Sequence, residues 1–131
     1  MIFNCQDDID LEDLKMLQPA LWILITRSML YCSEYKLPFK ITSIISDRGK
    51  VKSKSRSHET GRAIDISSRS WPDMHVHRFK YLMNRWYKDI AAISSSDLKP
   101  RAVIYHDVGY GSHFHLQVRP NANFNKFVSK E

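Results

Sequence analysis

The chain has 131 residues and a mass of 15.4 kDa, which is the usual size of one domain. Hydrophobic residues make up 43% of the sequence and charged residues 26%, a globular composition that argues against disorder and low-complexity fibres. The net charge of +6 favours polyanionic partners, such as nucleic acid, anionic lipid or a charged cell wall, without choosing among them.

The sequence predicts neither a membrane span nor a secretory signal. Its longest strongly apolar stretch, residues 20–25, is far shorter than the ~20 residues that cross a bilayer. The N-terminus is acidic and lacks a basic flank followed by an apolar core, so we expect no signal peptide. Cys5 and Cys32 show no Cys-x-x-Cys spacing and are expected to be reduced thiols, which leaves histidine and carboxylate as ligands for any metal.

The first third of the chain predicts two helices and a strand. Leucines follow Asp8 and Asp10 at roughly helical spacing, and acidic groups favour the start of a helix. Pro19 is expected to open a second helix, whose apolar stripe continues to Cys32. Residues 40–46 are rich in β-branched side chains and predict a buried strand.

The middle of the chain predicts a basic loop, a short strand and one long helix. Residues 48–57 alternate basic with mostly small polar side chains, which is typical of an exposed loop. Residues 62–67 alternate between polar and apolar side chains, as a strand does. Residues 70–73 resemble a capping box and predict the start of an amphipathic helix whose apolar residues recur as far as Ile93. Trp86, on this apolar stripe, is expected in the core.

The last third predicts a β-hairpin. Residues 102–106 and 113–119 read as two strands joined by a glycine-containing turn. The sequence contains no internal repeat and no linker. We therefore expect a single α+β domain spanning residues 1–131, with a small, mostly antiparallel sheet packed against the N-terminal helices and one central amphipathic helix.

Two candidate metal ligands, His58 and Asp65, lie seven positions apart. Gly61 between them permits a sharp turn of the chain. Asp65 lies between Ile64 and Ile66 in the predicted strand, so it faces the opposite side from both. An aspartate in such a strand is a poor choice for a core unless its charge is balanced, and a divalent cation balances it well.

Two further histidines, His113 and His115, are two positions apart in the second hairpin strand. Both imidazoles therefore leave one face of this strand, while Phe114 faces the other way. If the hairpin lies beside the strand of Asp65, then His58, Asp65 and His115 can surround one ion. Two nitrogens and one carboxylate are typical ligands of a catalytic zinc, which keeps its fourth position open.

The string SHETGRAIDI, followed by GYGSHFHLQV, resembles the zinc peptidases that cleave D-Ala-D-Ala or L-Ala-D-Glu bonds of bacterial cell walls, a family that includes small bacteriophage endolysins. The family pattern is His, six residues, Asp, and a late His-x-His whose last His binds zinc. The resemblance covers about residues 41–118 and implies that His58, Asp65 and His115 are the ligands of Zn2+. Three further histidines have spacings that match no part of this pattern and are expected at the surface or at helix ends: His75, His77 and His106.

The same resemblance implies catalytic roles for Arg48 and His113. An arginine follows the strand before the ligand loop in the family, where it binds a substrate carboxylate or helps to stabilise the oxyanion, and Arg48 stands in that place. Many members carry an Asp or Glu three residues before the last ligand, as general base and acid. The residue here is Ser112, which cannot do this work, so we predict His113 as the catalytic group, with Asp107 and Glu59 as weaker candidates.

The resemblance therefore predicts a zinc metallopeptidase that hydrolyses an amide bond in the stem peptide of peptidoglycan, most like a phage endolysin of the L-Ala-D-Glu endopeptidase type. It implies a protein, expected to be a monomer, that stays in the host cytoplasm until a holin opens the membrane and then reaches the cell wall. No separate cell-wall-binding domain is expected, which fits a thin, exposed wall, and neither nucleic acid nor a membrane span is expected as part of its function.

Three other readings stay open on the sequence alone. The family also contains D-Ala-D-Ala carboxypeptidases and dipeptidases, which need a closed pocket for a free C-terminus. A basic nucleic-acid-binding protein or metal nuclease would use residues 50–56 to contact phosphates. A zinc-binding domain without catalysis is the third reading, and Ser112 in place of a carboxylate favours it.

Overall fold

The computed structural model of the chain describes residues 3–7, 9, 11–44, 61–107 and 111–120. Within these ranges the chain forms three helices and six strands, which are, in chain order, α1 (Leu11–Leu14), α2 (Pro19–Tyr35), β1 (Ile41–Ser43), β2 (Ala63–Ser67), α3 (Asp73–Trp86), β3 (Ala92–Ile93), β4 (Pro100–Arg101), β5 (Val103–Asp107) and β6 (Ser112–Gln117). The predicted α+β class is confirmed.

The main sheet has four antiparallel strands in the order β1-β2-β6-β5, and β3 pairs with β4 in a separate small sheet. β5 and β6 are the predicted hairpin, with Asp107 opposite Ser112. β6 lies between β5 and β2, so the hairpin lies directly beside the strand that carries Asp65. The adjacency on which the predicted metal site depended is therefore confirmed.

Helices α2 and α3 pack with one face of this sheet to form the core. α2 begins at Pro19, as predicted, because the fixed φ of proline suits the first turn of a helix. It ends where Lys36 adopts a left-handed conformation with φ 56°. The fully buried side chains that the two helices and the strands contribute to this core include Leu21, Leu24, Ile25, Ile64, Ile66, Phe79, Phe114 and Leu116.

The central helix is shorter than its apolar spacing predicts. α3 ends at Trp86 instead of continuing to Ile93, and the chain then turns, with the Ile90 N–H donating to the Tyr87 carbonyl at 3.1 Å. This turn, and not a further helical repeat, buries Ile90, whereas Ile93 is 60% exposed on β3. The predicted capping box is also wrong, because Pro72 is the N-cap residue and no side chain caps the helix.

Trp86 is a second correction. The sequence placed it in the core, but its side chain is 47% exposed at the end of α3. The Arg27 guanidinium lies 5.1 Å from the centroid of the Trp86 ring, a distance at which a cation–π contact forms. Trp86 therefore covers the surface between α2 and α3.

Gly61 fixes the start of β2 against the N-terminal helices. It has φ +71°, and a Cβ at this position would collide with the Met16 carbonyl oxygen. The Gly61 carbonyl accepts a hydrogen bond from the Gln18 N–H at 2.9 Å, at the junction of α1 and α2. Only glycine satisfies both the conformation and the space here, so the sequence prediction of a sharp turn is confirmed.

Several predicted features lie outside the described residues: residues 45–46 of the first strand, the basic loop of residues 48–57, and the tail after Pro120. Every helix in the described part of the chain is too short or too polar to span a bilayer. Cys5 and Cys32 are both free thiols, and burial raises the pKa of Cys32 to about 12.

Candidate metal centre

The strand register brings one aspartate and three histidines to the same face of the main sheet. Residues directly opposite each other in neighbouring strands have side chains on the same face. Asp65 of β2 is opposite His115 of β6, and His113 of β6 is opposite His106 of β5. We call these four side chains the Asp65 cluster.

The two carboxylate oxygens of Asp65 face two different histidines. Oδ1 lies 3.0 Å from Nδ1 of His115, and Oδ2 lies 3.7 Å from Nε2 of His113. The rings of His106 and His113 are 4.5 Å apart between centroids. One ligand atom each from Asp65, His106 and His113 lies within 4.8 Å of the others, so these three residues are close enough to hold a metal ion.

The donor set suits a metal ion that takes nitrogen and carboxylate ligands. Imidazole nitrogens and a carboxylate oxygen are ligands that zinc prefers, and tetrahedral ligands about 2.0–2.1 Å from the ion lie roughly 3.3 Å from one another. The contacts of Asp65 with His115 and His113, at 3.0 and 3.7 Å, bracket this spacing. Each of the two oxygens thus lies near this spacing from one imidazole nitrogen, while the three described residues whose donor atoms are mutually close enough for one ion are Asp65, His106 and His113.

The Asp65 cluster is shielded from water. The side chains of Asp65, His113 and His115 are only 17%, 16% and 10% exposed. A carboxylate at this depth is costly unless a positive charge or hydrogen bonds balance it. The surrounding imidazoles supply that balance in the protein alone, and a divalent cation would supply more.

Gln117 orients the His115 ring through Nε2, the nitrogen that does not face Asp65. The Gln117 Nε2 donates to the Arg101 carbonyl at 3.0 Å, so its amide oxygen faces Nε2 of His115 at 3.0 Å. Because an amide oxygen only accepts hydrogen bonds, Nε2 of His115 is the donor in this contact. Nδ1 is then the atom directed at Asp65, and the position of the ring is fixed. Metal-binding histidines are commonly held by such a partner on their other nitrogen.

Three of the five predicted site residues come together. Asp65, His113 and His115 lie on one face, as the alternation of their strands predicted. His58 and Arg48 lie outside the described residues, as does Glu59, so their roles stay predictions.

Two residues of the site were missed by the sequence interpretation. His106 was predicted to be a surface or helix-end residue, but it is half-buried on β5 and lies opposite His113. Counting outward from the predicted turn, residues 107–112, pairs His106 with His113, so the hairpin prediction already contained the signal for this pair. Gln117 is found from the period of two alone, since it lies two positions after His115 on the same strand.

Comparisons with protein-family models, with curated proteins and with solved structures find no match to this chain.

Proposed function

We propose that this chain is a zinc-dependent peptidase that hydrolyses an amide bond in the stem peptide of peptidoglycan, of the L-Ala-D-Glu endopeptidase type. The observation that carries the proposal is the Asp65 cluster, with its carboxylate held between His113 and His115. The resemblance of SHETGRAIDI and GYGSHFHLQV to cell-wall zinc peptidases supplies the reaction and the substrate class.

Asp65 and His115 are the proposed ligands within the described residues, and His58 completes the set. A zinc ion held by these residues would polarise the scissile carbonyl and would lower the pKa of its water to about 7. The Asp65 carboxylate reduces the net charge of the centre, and Gln117 keeps Nδ1 of His115 directed toward it. Arg48 is proposed to bind a substrate carboxylate or the developing oxyanion with its planar donor fork.

His113 is the proposed proton carrier, because no carboxylate stands at position 112. Its Nε2 lies 3.7 Å from Oδ2 of Asp65, beside the ligand atoms and within reach of a substrate bound there. In this role it accepts a proton from the attacking water and returns it to the leaving amine. His106 packs against His113 on the next strand and limits the orientations of its ring.

The same cluster offers a second ligand set, made of Asp65, His106 and His113. The two sets make opposite predictions for single substitutions. If His115 is a ligand, then His115→Ala removes zinc and His106→Ala does not. If His106 and His113 are ligands, their substitutions remove zinc and His115→Ala mainly disturbs the position of Asp65.

The proposed biological role is lysis of a bacterial host by a phage. The protein accumulates in the host cytoplasm, a holin releases it, and it then degrades the cell wall. Its net charge of +6 suits an anionic wall polymer, since opposite charges raise the rate of encounter.

The test is digestion of purified sacculi with and without a chelator, followed by mass spectrometry of the released fragments. We expect chelator-sensitive release of new amino groups, loss of both zinc and turnover in His115→Ala, and retained zinc with depressed turnover in His113→Ala. His77→Ala is the matched control, because His77 is exposed on α3. Full activity of His113→Ala would overturn the proton-carrier role.

A zinc-binding domain without catalysis is the second candidate, and Ser112 in place of a carboxylate is the observation that favours it. The digestion separates the two functions. Bound zinc with intact sacculi favours the silent domain, and cleavage of DNA or RNA in a parallel incubation favours a nuclease.

A further inference from the structure

Among the described strands, none pairs with the outer edge of β5, in the hairpin that carries the Asp65 cluster. β5 is the last strand in the order β1-β2-β6-β5. The Gln117 N–H donates to the Ala102 carbonyl at 2.9 Å, which sets the alternation of hydrogen bonds along the pair. Ile104 and His106 therefore pair with β6, whereas the backbone groups of Val103 and Tyr105 point away from the sheet.

Asn84 of α3 closes this edge at one position. Its Nδ2 donates to the Val103 carbonyl, and its Oδ1 accepts from the Val103 N–H, each at 2.9 Å. The side-chain amide thus makes the two hydrogen bonds that a neighbouring strand would make. Within the described part of the chain, nothing does the same for the Tyr105 N–H and carbonyl, two residues further along.

Tyr105 is held firmly by its side chain. Its ring packs on Phe114 with 5.0 Å between centroids, and its hydroxyl lies 3.3 Å from the Ser68 Oγ. The open backbone groups therefore have a fixed direction, and a ligand that pairs with them does not have to order the strand first.

A polar cavity of about 220 Å3 lies along this edge, lined by residues that include Lys80, Asn84, Arg101, Ile104 and Tyr105. Lys80 precedes Asn84 by one helical turn and is exposed. The Arg101 guanidinium is already paired with Asp97 at 2.9 Å, whereas Lys80 forms no ion pair with any described residue. The cavity thus presents a cation beside the open backbone groups.

We infer that the edge of β5 at Tyr105 binds the extended backbone of a carboxylate-bearing peptide substrate, with Lys80 contacting the carboxylate. The inference rests on the proposed function, because it names how the same site binds its peptide. A paired strand lies about 5 Å from β5, and His106 is the next residue after Tyr105 along it. A peptide bound here therefore lies beside His106, the member of the Asp65 cluster on the edge strand.

Because Asn84 already occupies the Val103 N–H and carbonyl, a peptide can pair with only a few residues of β5. One substrate residue opposite Tyr105 makes two backbone hydrogen bonds, and no longer ladder is needed. This suits a stem peptide, in which L- and D-residues alternate and a regular strand of many residues does not form. A second copy of this chain pairing through its own β5 is the competing occupant.

The first experiment measures amide hydrogen exchange in the zinc-loaded protein, with and without the tetrapeptide L-Ala-D-Glu-meso-diaminopimelic acid-D-Ala, in a form whose L-Ala-D-Glu amide is reduced to an uncleavable amine. We expect at least roughly tenfold slower exchange of the Tyr105 amide, as a new hydrogen bond protects it. The Val103 amide is the internal control, because Asn84 already binds it.

The second experiment measures hydrolysis of the cleavable tetrapeptide and of its amidated form by Lys80→Met. We expect KM to rise roughly threefold for the carboxylate form, with kcat unchanged and no change for the amidated form. Lys88→Met is the matched control, since Lys88 is exposed just after α3 and does not line the cavity.

The outcomes separate the two proposals. Hydrolysis without protection of Tyr105 overturns the edge inference and leaves the peptidase intact. Protection by the peptide without hydrolysis of sacculi supports the edge as a peptide site and overturns the peptidase. Protection that depends on protein concentration, without peptide, identifies a second copy as the occupant and overturns the inference.

Discussion

Neighbouring residues of each strand point to opposite faces of the main sheet, and one face is apolar whereas the other is polar. On the covered face, Ile64, Ile66 and Phe114 are fully buried in contact with the helices. On the other face, Asp65 and His115 are nearly as deep but polar. The first face stabilises the fold by removing apolar surface from water, and the second depends on pairing within its own groups. Stability and function are thus assigned to alternate residues of the same strands.

The largest effect is expected on the apolar face, at Phe114. Replacing it by alanine is expected to reduce the free energy of unfolding by about 3–5 kcal/mol, because a fully buried ring in contact with Trp71, Phe79 and Tyr105 leaves a cavity. Urea denaturation monitored by circular dichroism measures this loss. Phe114→Leu is the control and should lose clearly less. An alanine variant as stable as the wild type would contradict the assignment of the core to this face.

An intermediate effect is expected on the polar face, at Gln117. Gln117→Leu removes the acceptor that holds Nε2 of His115, so the zinc affinity is expected to fall by about 10–100-fold. Competition with a chromogenic chelator measures the affinity. Gln117→Glu keeps an acceptor and is the matched control. Equal affinities for Gln117→Leu and the wild type would show that His115 does not need this partner to bind metal.

The smallest effect is expected outside both faces, at Trp86. This side chain is 47% exposed, so Trp86→Ala is expected to reduce the free energy of unfolding by less than about 1 kcal/mol, the range of an exposed cation–π contact with Arg27. The same urea titration gives the value. A loss as large as that of Phe114→Ala would show that Trp86 is a core residue, as its helical spacing had predicted.

Local patterns were enough to predict the elements whose signals lie within a few neighbouring residues. Proline at position 19 opened α2, the alternation around Asp65 gave β2, and the glycine-containing turn gave the hairpin. The end of α3 was wrong because an apolar spacing of three and four residues does not distinguish a helix from the turn that buries Ile90.

The candidate site was predictable only in part, because it is assembled across strands. The period of two placed His113 with His115, but the partner of each depends on the register, which one sequence does not fix. His106 was missed for a different reason: its spacing matches no part of the family pattern, although the predicted turn implies that it lies opposite His113. Asn84 could not be found from the sequence, because only the fold brings its amide to the backbone of Val103.

Zinc binding by the metal-free protein tests the proposed metal centre itself, and it is measured by equilibrium dialysis and elemental analysis for the wild type and Asp65→Asn. We expect about one equivalent of zinc for the wild type, and none for the variant, which lacks the charged ligand but keeps its shape. Circular dichroism should show both proteins folded. A folded wild type that binds no zinc, or a variant that binds it equally well, would contradict the proposal that this carboxylate and its histidines form a metal centre.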